Sequence, residues 1–138
     1  METDEASGGL GELFLSVAKR VRAQQAERFA PFGITPAQAR VLGLLARSGT
    51  PPRMTELAER LGVVPRAVTP LIDALEEAGL VRRLSDPGNR RSTLVELTDQ
   101  GSAMRRSLHA ERVRVVEDVF APLTPRQRAT LLDLLGRL

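Results

Sequence analysis

A chain of 138 residues, 42% of them hydrophobic, is long enough for one compact unit with an apolar core. It has no cysteine, which excludes disulfides, thiol-based oxidant sensing and thiolate metal sites. The formal net charge is only +3 and all but one of the 20 basic residues are arginine, so any affinity for a polyanion depends on where the arginines lie.

The amino-terminal segment METDEASGG is acidic and polar, unlike a secretory signal. No apolar run approaches about twenty residues, so we expect no membrane contact and a cytoplasmic location. Residues 7–11 are glycine-rich, but they follow no strand and lack the lysine of a phosphate-binding loop. We interpret them as a disordered tail that leads into the first helix.

Two amphipathic helices are predicted before residue 50. The second begins at Thr35, whose hydroxyl can cap the helix while Gln38 returns a bond to the cap backbone. The apolar stripe of the first helix is Leu10, Leu13, Phe14, Val17 and Val21, and that of the second is Val41, Leu42, Leu44 and Leu45.

A helix, a glycine turn and another helix are predicted over residues 54–79. Thr55 can cap the first of these helices, and Gly62 can end it in a left-handed conformation. Pro65 suits the first turn of the next helix, where its missing N–H costs nothing, and Gly79 closes that helix. The apolar stripes are Met54, Leu57, Ala58 and Leu61, then Val68, Leu71, Ile72 and Leu75.

The opposite face of the second of these helices is polar and carries Arg66, Thr69, Pro70 and Asp73. A helix-turn-helix protein places such a face in the major groove of DNA, where side chains can contact base edges. We therefore predict that this face contacts DNA.

A two-stranded hairpin, or wing, follows the helix pair. The sequence Asp-Pro-Gly-Asn at residues 86–89 predicts a tight turn after a short strand at residues 80–84. Thr93, Val95 and Leu97 then recur with a period of two. Arg90 and Arg91 lie at the tip, and two arginines in a turn are often only solvated charges. Behind a helix-turn-helix we favour contact with DNA.

Both chain ends are predicted to supply helices for dimerisation. Thr98 can cap a long helix that Pro122 ends, and Thr124 with Gln127 repeats the capping box before a terminal helix. That last helix is crowded with leucine, which suits either packing against its own domain or, as we favour, a dimer interface. Its leucines are Leu131, Leu132, Leu134, Leu135 and Leu138.

Enzymatic motifs are scarce in this chain. His109 is the single histidine and lies in a charged helix, without cysteine or paired carboxylates close in sequence. Glu76 and Glu77 are adjacent on a helix and point apart. We therefore predict no enzyme activity, no catalytic residue, no metal site and no cofactor.

The order and spacing of several motifs resemble the MarR (multiple antibiotic resistance regulator) family of bacterial transcription factors over residues 34–101. The motifs are Ile-Thr-Pro-Ala-Gln at 34–38, Glu-Leu-Ala-Glu-Arg-Leu at 56–61, Val-Thr at 68–69, Leu-Glu at 75–76, Gly-Leu-Val at 79–81, Asp-Pro at 86–87 with Arg-Arg at 90–91, and Leu-Thr at 97–98 with Gly101. The resemblance implies a dimeric regulator that binds palindromic DNA, in the bacterial nucleoid, and responds to small ligands or oxidants.

Two positions depart from that family's pattern. Asn89 stands where the family usually has an aspartate two residues before the arginine of the minor groove, here Arg91. An asparagine can hydrogen-bond the guanidinium but adds no charge. Pro70 lies inside the second helix of the pair, where a proline removes one intrahelical bond and can kink or restart the helix.

These observations predict a mainly α fold with a small β wing, as one domain over residues 1–138. Residues 36–98 would form a winged helix-turn-helix DNA-binding lobe, and residues 10–33 and 99–138 the dimerisation helices. The expected function is sequence-specific transcriptional regulation, as a repressor released by a small organic ligand. The alternative is a winged-helix module for protein interaction that does not bind DNA.

The expected partners are a second copy of the chain, double-stranded DNA with a palindromic operator, and a small aromatic or lipophilic acid. The family resemblance places the ligand between the DNA-binding lobe and the dimerisation helices, although the candidate aromatic residues suit core packing equally well. The ligand candidates are Phe29, Phe32, Arg40 and Leu44. The DNA candidates are Arg53, Arg66, Thr69, Pro70, Arg82, Arg83, Asn89, Arg90 and Arg91.

Overall fold

The computed structural model describes residues 2–138 and shows six α-helices with one two-stranded antiparallel sheet among them. This confirms the mainly α fold with a β wing. The elements are α1 (Glu2–Phe29), a 3-10 turn (Ala30–Phe32), α2 (Pro36–Arg47), α3 (Met54–Leu61), α4 (Pro65–Glu77), β1 (Val81–Asp86), β2 (Asn89–Leu97), α5 (Asp99–Val119) and α6 (Pro125–Gly136). No helix within residues 2–138 is both long and apolar enough to cross a membrane.

The chain divides into two compact units. The terminal unit comprises the described residues up to Arg28 together with residues 111–138, and the winged unit comprises residues 29–110. The first twelve residues of α5 therefore pack in the winged unit, and the remainder of α5 packs with α1 and α6.

The predicted helix caps form at three places. The Thr35 hydroxyl accepts a bond from the Gln38 N–H while the Gln38 side chain accepts one from Thr35, and Thr124 and Gln127 form the same pair. The Thr98 hydroxyl accepts from the Gly101 N–H at 3.0 Å, in the first turn of α5. A side-chain acceptor at these positions satisfies amides that the helix itself leaves unpaired.

Two predictions of helix starts are wrong. Thr55 does not cap α3, because the helix begins one residue earlier at Met54 and the Glu56 carboxylate accepts the N–H of Arg53. Residues 7–11 are not a disordered tail, because α1 runs from Glu2 through them. Glycine is a weak helix former but does not forbid a helix that continues on both sides.

The helix-turn-helix forms as its turn residues predict. Gly62 ends α3 with φ 71°, a left-handed conformation that a side chain would disfavour, and Pro65 is the first residue of α4. α4 is one continuous helix despite Pro70, so the proline neither ends nor restarts it. The buried side of the helix pair consists of Leu57, Ala58, Leu61, Val68, Ile72 and Leu75.

The wing is a hairpin held at its base by the polypeptide that precedes α3. Val81 pairs with Leu97, and this register continues to Ser85 and Thr93. It then shifts at a bulge, and Asp86 pairs with Asn89 at the turn. The Val95 N–H donates to the Pro52 carbonyl at 3.0 Å, and Arg53 forms an isolated antiparallel bridge with Leu94. Val95 is fully buried, so β2 contributes to the same core as the helix pair.

Candidate nucleic-acid interface

α4 divides into a buried face and a solvent-exposed face. Val68, Ile72 and Leu75 are buried in the core of the winged unit, which fixes the rotation of the helix about its axis. Arg66 and Thr69 then point outward because they lie off that apolar stripe, and both are exposed. Pro70 is also exposed and adds an apolar surface beside Thr69.

The wing tip presents two more exposed arginines on a tightly hydrogen-bonded turn. The Gly88 N–H donates to Asp86 Oδ1 at 2.9 Å, and the Arg91 N–H donates to Asn89 Oδ1 at 3.0 Å. Asn89 therefore uses its oxygen on the backbone of Arg91, rather than on the guanidinium as the sequence suggested. Asn89, Arg90 and Arg91 are all exposed.

The six arginine candidates fall into two groups. Within residues 2–138, Arg66, Arg90 and Arg91 have no carboxylate partner, so their guanidinium groups are available to a ligand. The other three are ion-paired: Arg53 with Asp86, Arg82 with Glu96, and Arg83 with Asp73 and Glu76. The free group lies on the exposed face of α4 and at the wing tip.

Of the three ion pairs, the one between Arg82 and Glu96 opposes contact with DNA the least. Its Nε lies 3.2 Å from Glu96 Oε1 directly across the hairpin, and the Arg82 side chain is 55% exposed. A cross-strand pair in contact with water contributes little free energy. Arg82 can therefore turn from Glu96 to a phosphate at small cost.

Arg83 has a different environment. Its Nη2 lies 2.5 Å from Asp73 Oδ1 and its Nη1 lies 2.7 Å from Glu76 Oε1, so both ends of the guanidinium fork are occupied. The hydrogen bond with Asp73 and the second carboxylate raise the pKa of Arg83. Asp73, which the sequence placed on the groove-facing side of α4, is thus ion-paired with a residue of the wing.

Arg53 is tied to the wing turn. Its Nε donates to Asp86 Oδ2 at 3.1 Å, while Asp86 Oδ1 receives the Gly88 N–H. The Gly88 hydrogen bond is the main cause of a lowered pKa for Asp86, and the charge of Arg53 lowers that pKa further. Half of the Arg53 side chain remains exposed.

The four ligand candidates have separate roles in the winged unit. Phe29 is fully buried in the core, and Leu44 is half-buried against it. Arg40 is exposed, and its Nη2 donates to the Leu61 carbonyl at 3.1 Å, which caps the end of α3. Phe32 lines a cavity of about 450 Å³ with a different set of residues: Ala78, Leu80, Gln100, Ala103, Met104 and Ser107.

The terminal unit exposes a continuous set of apolar side chains. A cavity of about 540 Å³ lies between α1 and α6, and its walls include Leu10, Leu13, Phe14 and Leu135. Leu10 and Leu13 are about 70% exposed, and contact between leucine side chains and water is unfavourable. At the other end of α1 the Arg28 guanidinium pairs with Glu111 and Asp118 of α5.

The contacts of Arg83 were not predicted from the sequence. Asp73 and Glu76 are three residues apart on α4, a spacing that places two side chains on one helix face. That spacing was a usable signal for a paired acidic site. It could not identify the cation, because Arg83 approaches only once the wing folds back beside the helix.

Comparisons with known proteins identify this arrangement. The model of the MarR family matches residues 34–93, and the regulator PecS of Dickeya dadantii is 30% identical over 111 residues, which are 79% of this chain and 67% of PecS. The chain belongs to the MarR family. The transcriptional repressor MdtR of Bacillus subtilis is 29% identical over 120 residues, which are 87% of this chain and 77% of MdtR.

The solved structures agree with the family assignment. A mutant MarR of E. coli in complex with operator DNA is 32% identical, with a TM-score of 0.80, and the match covers 94% of this chain and 92% of that one. Wild-type E. coli MarR without ligand gives a TM-score of 0.83 at the same identity, over 93% of this chain and 95% of that one. The relatives PecS and MdtR are named as transcriptional regulators and not as enzymes.

Proposed function

We propose that this MarR-family protein binds a palindromic operator as a homodimer and acts as a repressor. It is a DNA-binding transcriptional regulator with a winged helix-turn-helix. The repressor assignment takes its support from the relative MdtR, whose name describes a repressor.

The observation that carries the proposal is the position of the unpaired arginines. Arg66 lies on the outer face of α4, and Arg90 and Arg91 lie at the wing tip, all exposed and without a carboxylate partner within residues 2–138. A helix enters the major groove, where Arg66 and Thr69 can reach base edges, while a wing follows the adjacent minor groove and phosphates. Arg53 and Arg82 would contact phosphates.

The alternative, a winged-helix module that binds only proteins, is not favoured. It gives no reason to keep three arginines exposed and unpaired on two neighbouring elements. It also does not fit the E. coli structure, in which the similar chain is bound to operator DNA.

The direct test is selection of DNA by the full chain from a random-sequence pool. We expect a palindromic motif, and binding to the selected duplex should weaken steeply with salt because each neutralised phosphate contributes about −0.9 to the slope of log K against log salt. Thr69→Val should relax base preference at one position of each half-site. Recovery of no enriched motif, with a salt-independent affinity, would contradict the proposal.

We propose the homodimer because the terminal unit exposes apolar side chains. Its exposed leucines on α1 and α6 form one apolar surface around the cavity between these helices, and a second copy is the partner that a symmetric regulator provides. A two-fold dimer would present two copies of α4 to two half-sites, which matches a palindromic operator.

We also propose that a small lipophilic ligand releases the DNA by binding in the cavity beside Phe32. Met104 and Leu80 supply apolar contact, and Gln100 and Ser107 supply an amide and a hydroxyl. Ala78 and Leu80 belong to the segment that directly follows α4, so a ligand here would act on the end of that helix. It must bind the DNA-incompetent form more tightly, since a ligand with equal affinity for both forms shifts nothing.

This ligand proposal is tested with small aromatic acids and the corresponding amides. A ligand of this cavity should raise the melting temperature and weaken binding to the selected duplex, and both effects should disappear in Ala103→Phe, which fills the cavity. Because the lining is uncharged, the amides should act at least as strongly as the acids. Equal effects on wild type and Ala103→Phe would exclude this cavity.

A further inference from the structure

The first strand of the wing is attached to α4, the recognition helix whose outer face carries Arg66, by three contacts from one residue. The two ends of the Arg83 guanidinium contact Asp73 and Glu76, at 2.5 Å and 2.7 Å. The backbone N–H of Arg83 donates to the other Glu76 oxygen at 3.2 Å. Only 28% of the Arg83 side chain is exposed, against 55% for the adjacent Arg82.

The geometry sets the direction of the guanidinium. Asp73 and Glu76 lie on one face of α4 because they are three residues apart, and a planar fork can bridge two such carboxylates at once. If Arg83 turned to a phosphate, it would leave two uncompensated carboxylates beside a polyanion. The repulsion between these carboxylates and the phosphates would oppose that contact.

We propose that Arg83 is a positioning residue that sets the wing against the recognition helix, and that it does not contact the DNA backbone. The inference rests on the proposed function, because it assigns a role within DNA recognition. It divides the basic residues of β1 by role: Arg82 contacts phosphate, and Arg83 fixes where Arg90 and Arg91 lie relative to Arg66.

A second attachment at the far end of β1 makes this positioning effective. Asp86, the last residue of the strand, is held by Arg53 at the start of α3. β2 is held by the hydrogen bond from Val95 to Pro52. Because β1 is attached to the helix pair at Arg83 and at Asp86, the wing tip is ordered before DNA binds. Less conformational entropy is then lost on binding.

The test compares Arg83→Gln with Arg82→Gln, using the duplex selected by the wild-type protein. Arg82→Gln should lower the salt slope by about two, because each protomer of the dimer loses one phosphate contact. Arg83→Gln should weaken binding about five-fold, as expected for a broken side-chain network, with the slope unchanged. Arg83→Lys should not restore affinity, although it keeps the charge, because an ammonium lacks the planar fork.

The same substitution is then made in the Asp73→Asn, Glu76→Gln background, where the guanidinium has no carboxylate partner. There Arg83→Gln should change affinity by less than about two-fold, since the network is already broken. A salt slope lowered by about two, one for each protomer, with equal losses in both backgrounds, would instead show that Arg83 contacts phosphate. That result would overturn the proposal.

A measurement without DNA separates this inference from the proposed function. Amide hydrogen exchange of β1 and β2 should become faster in Arg83→Gln, while α2 amides keep their wild-type protection, showing that the variant is folded. If the wing amides exchange at the wild-type rate, the attachment has no effect on the wing and the proposal fails. This outcome does not depend on whether an operator is ever found.

Discussion

At the scale of single residues, neighbours decide what each arginine can do. Arg82 and Arg83 are adjacent in sequence and alike in charge, yet they point to opposite sides of β1 and have different partners. Arg90 and Arg91 have no carboxylate partner in the described chain. Counting basic residues therefore overestimates the number of phosphate contacts, since an arginine held between two carboxylates, as Arg83 is, neutralises no phosphate.

The first prediction concerns the wing tip. Arg91→Ala should weaken DNA binding at least ten-fold and leave the melting temperature within about a degree, because an exposed, unpaired side chain contributes little to stability. The loss should be larger for operators with A·T-rich flanks, where a narrow minor groove concentrates negative potential. Fluorescence anisotropy at several salt concentrations is the measurement, and equal affinity of the two proteins would rule out the contact.

The second prediction concerns pH and Asp86. The pKa of this carboxyl lies below its ordinary value of 3.8 in the folded protein, so the folded state favours the charged form. The stability from this group is therefore present above pH 3.8 and is lost as the pH falls through the lower folded value. In urea unfolding, Asp86→Asn should be less stable than wild type at neutral pH and should approach it in acid. A constant difference across the acid range would contradict the lowered pKa.

At the scale of elements, the close approach of α5 to the end of α4 is a strict packing requirement. A Cβ built on Gly101 would lie 1.9 Å from the Leu80 carbonyl oxygen, which is part of the backbone and cannot turn away. The Thr98 N–H donates to the same carbonyl at 3.1 Å, and the Thr98 hydroxyl donates to the Gly79 carbonyl at 2.6 Å. The first turn of α5 is thus fixed against the loop that begins the wing.

The third prediction follows from that contact. Gly101→Ala should lower the free energy of unfolding by about 3 kcal/mol, at the upper end for overpacking, because backbone must move to admit the methyl group. Gly11→Ala is the matched control, since a Cβ on this residue of α1 would have nothing within 4 Å. It should be neutral or stabilise the helix by up to about 1 kcal/mol. Similar urea midpoints for Gly101→Ala and wild type would disprove the requirement.

At the scale of the whole molecule, the two units differ in how much apolar surface they bury. The winged unit has most of the buried core residues, whereas α6 has none that are fully buried. A leucine that is mostly exposed forfeits the roughly 1.5 to 3 kcal/mol that full burial typically contributes. The proposed dimer would let the terminal unit bury its exposed leucines against a second copy.

The fourth prediction tests the dimer. Leu13→Glu should convert the protein to monomer at micromolar concentration, because a carboxylate in an apolar interface is strongly disfavoured. Val64→Glu, at an exposed position of the helix-turn-helix, should leave the dimer intact. Sedimentation distinguishes the two states. If Leu13→Glu remains a dimer that still binds the selected duplex, the terminal helices are not the interface.

The two half-sites of the operator should lie about one helical turn apart, roughly 34 to 36 Å between centres, if two copies of α4 enter successive major grooves. A footprint on the selected duplex shows the spacing directly. Protection of one half-site alone would be incompatible with a symmetric dimer.

The sequence predicted the starts and ends of helices correctly where a residue acts through its own backbone conformation or through a cap within one turn. The left-handed Gly62, Pro65 at the start of α4 and the capping pairs of Thr35 and Thr124 all form as the sequence predicts. The predictions failed where two local choices are close in free energy. Thr55 lost the cap position to Arg53 because Glu56 bonds the earlier amide, and the glycines of α1 did not prevent the helix.

The sequence by itself determined the fold class, the helix-turn-helix with its wing and the resemblance to the MarR family, because these follow from hydrophobic period, turn residues and motif spacing along the chain. Only the tertiary structure decided which arginines are free. Ion pairs such as Arg83 with Asp73 and Arg53 with Asp86 join residues 10 and 33 positions apart, and no periodicity specifies which charges will meet. For the same reason, only the tertiary structure shows that the four ligand candidates do not share one site. The burial of Phe29 and the capping bond of Arg40 arise from packing between elements.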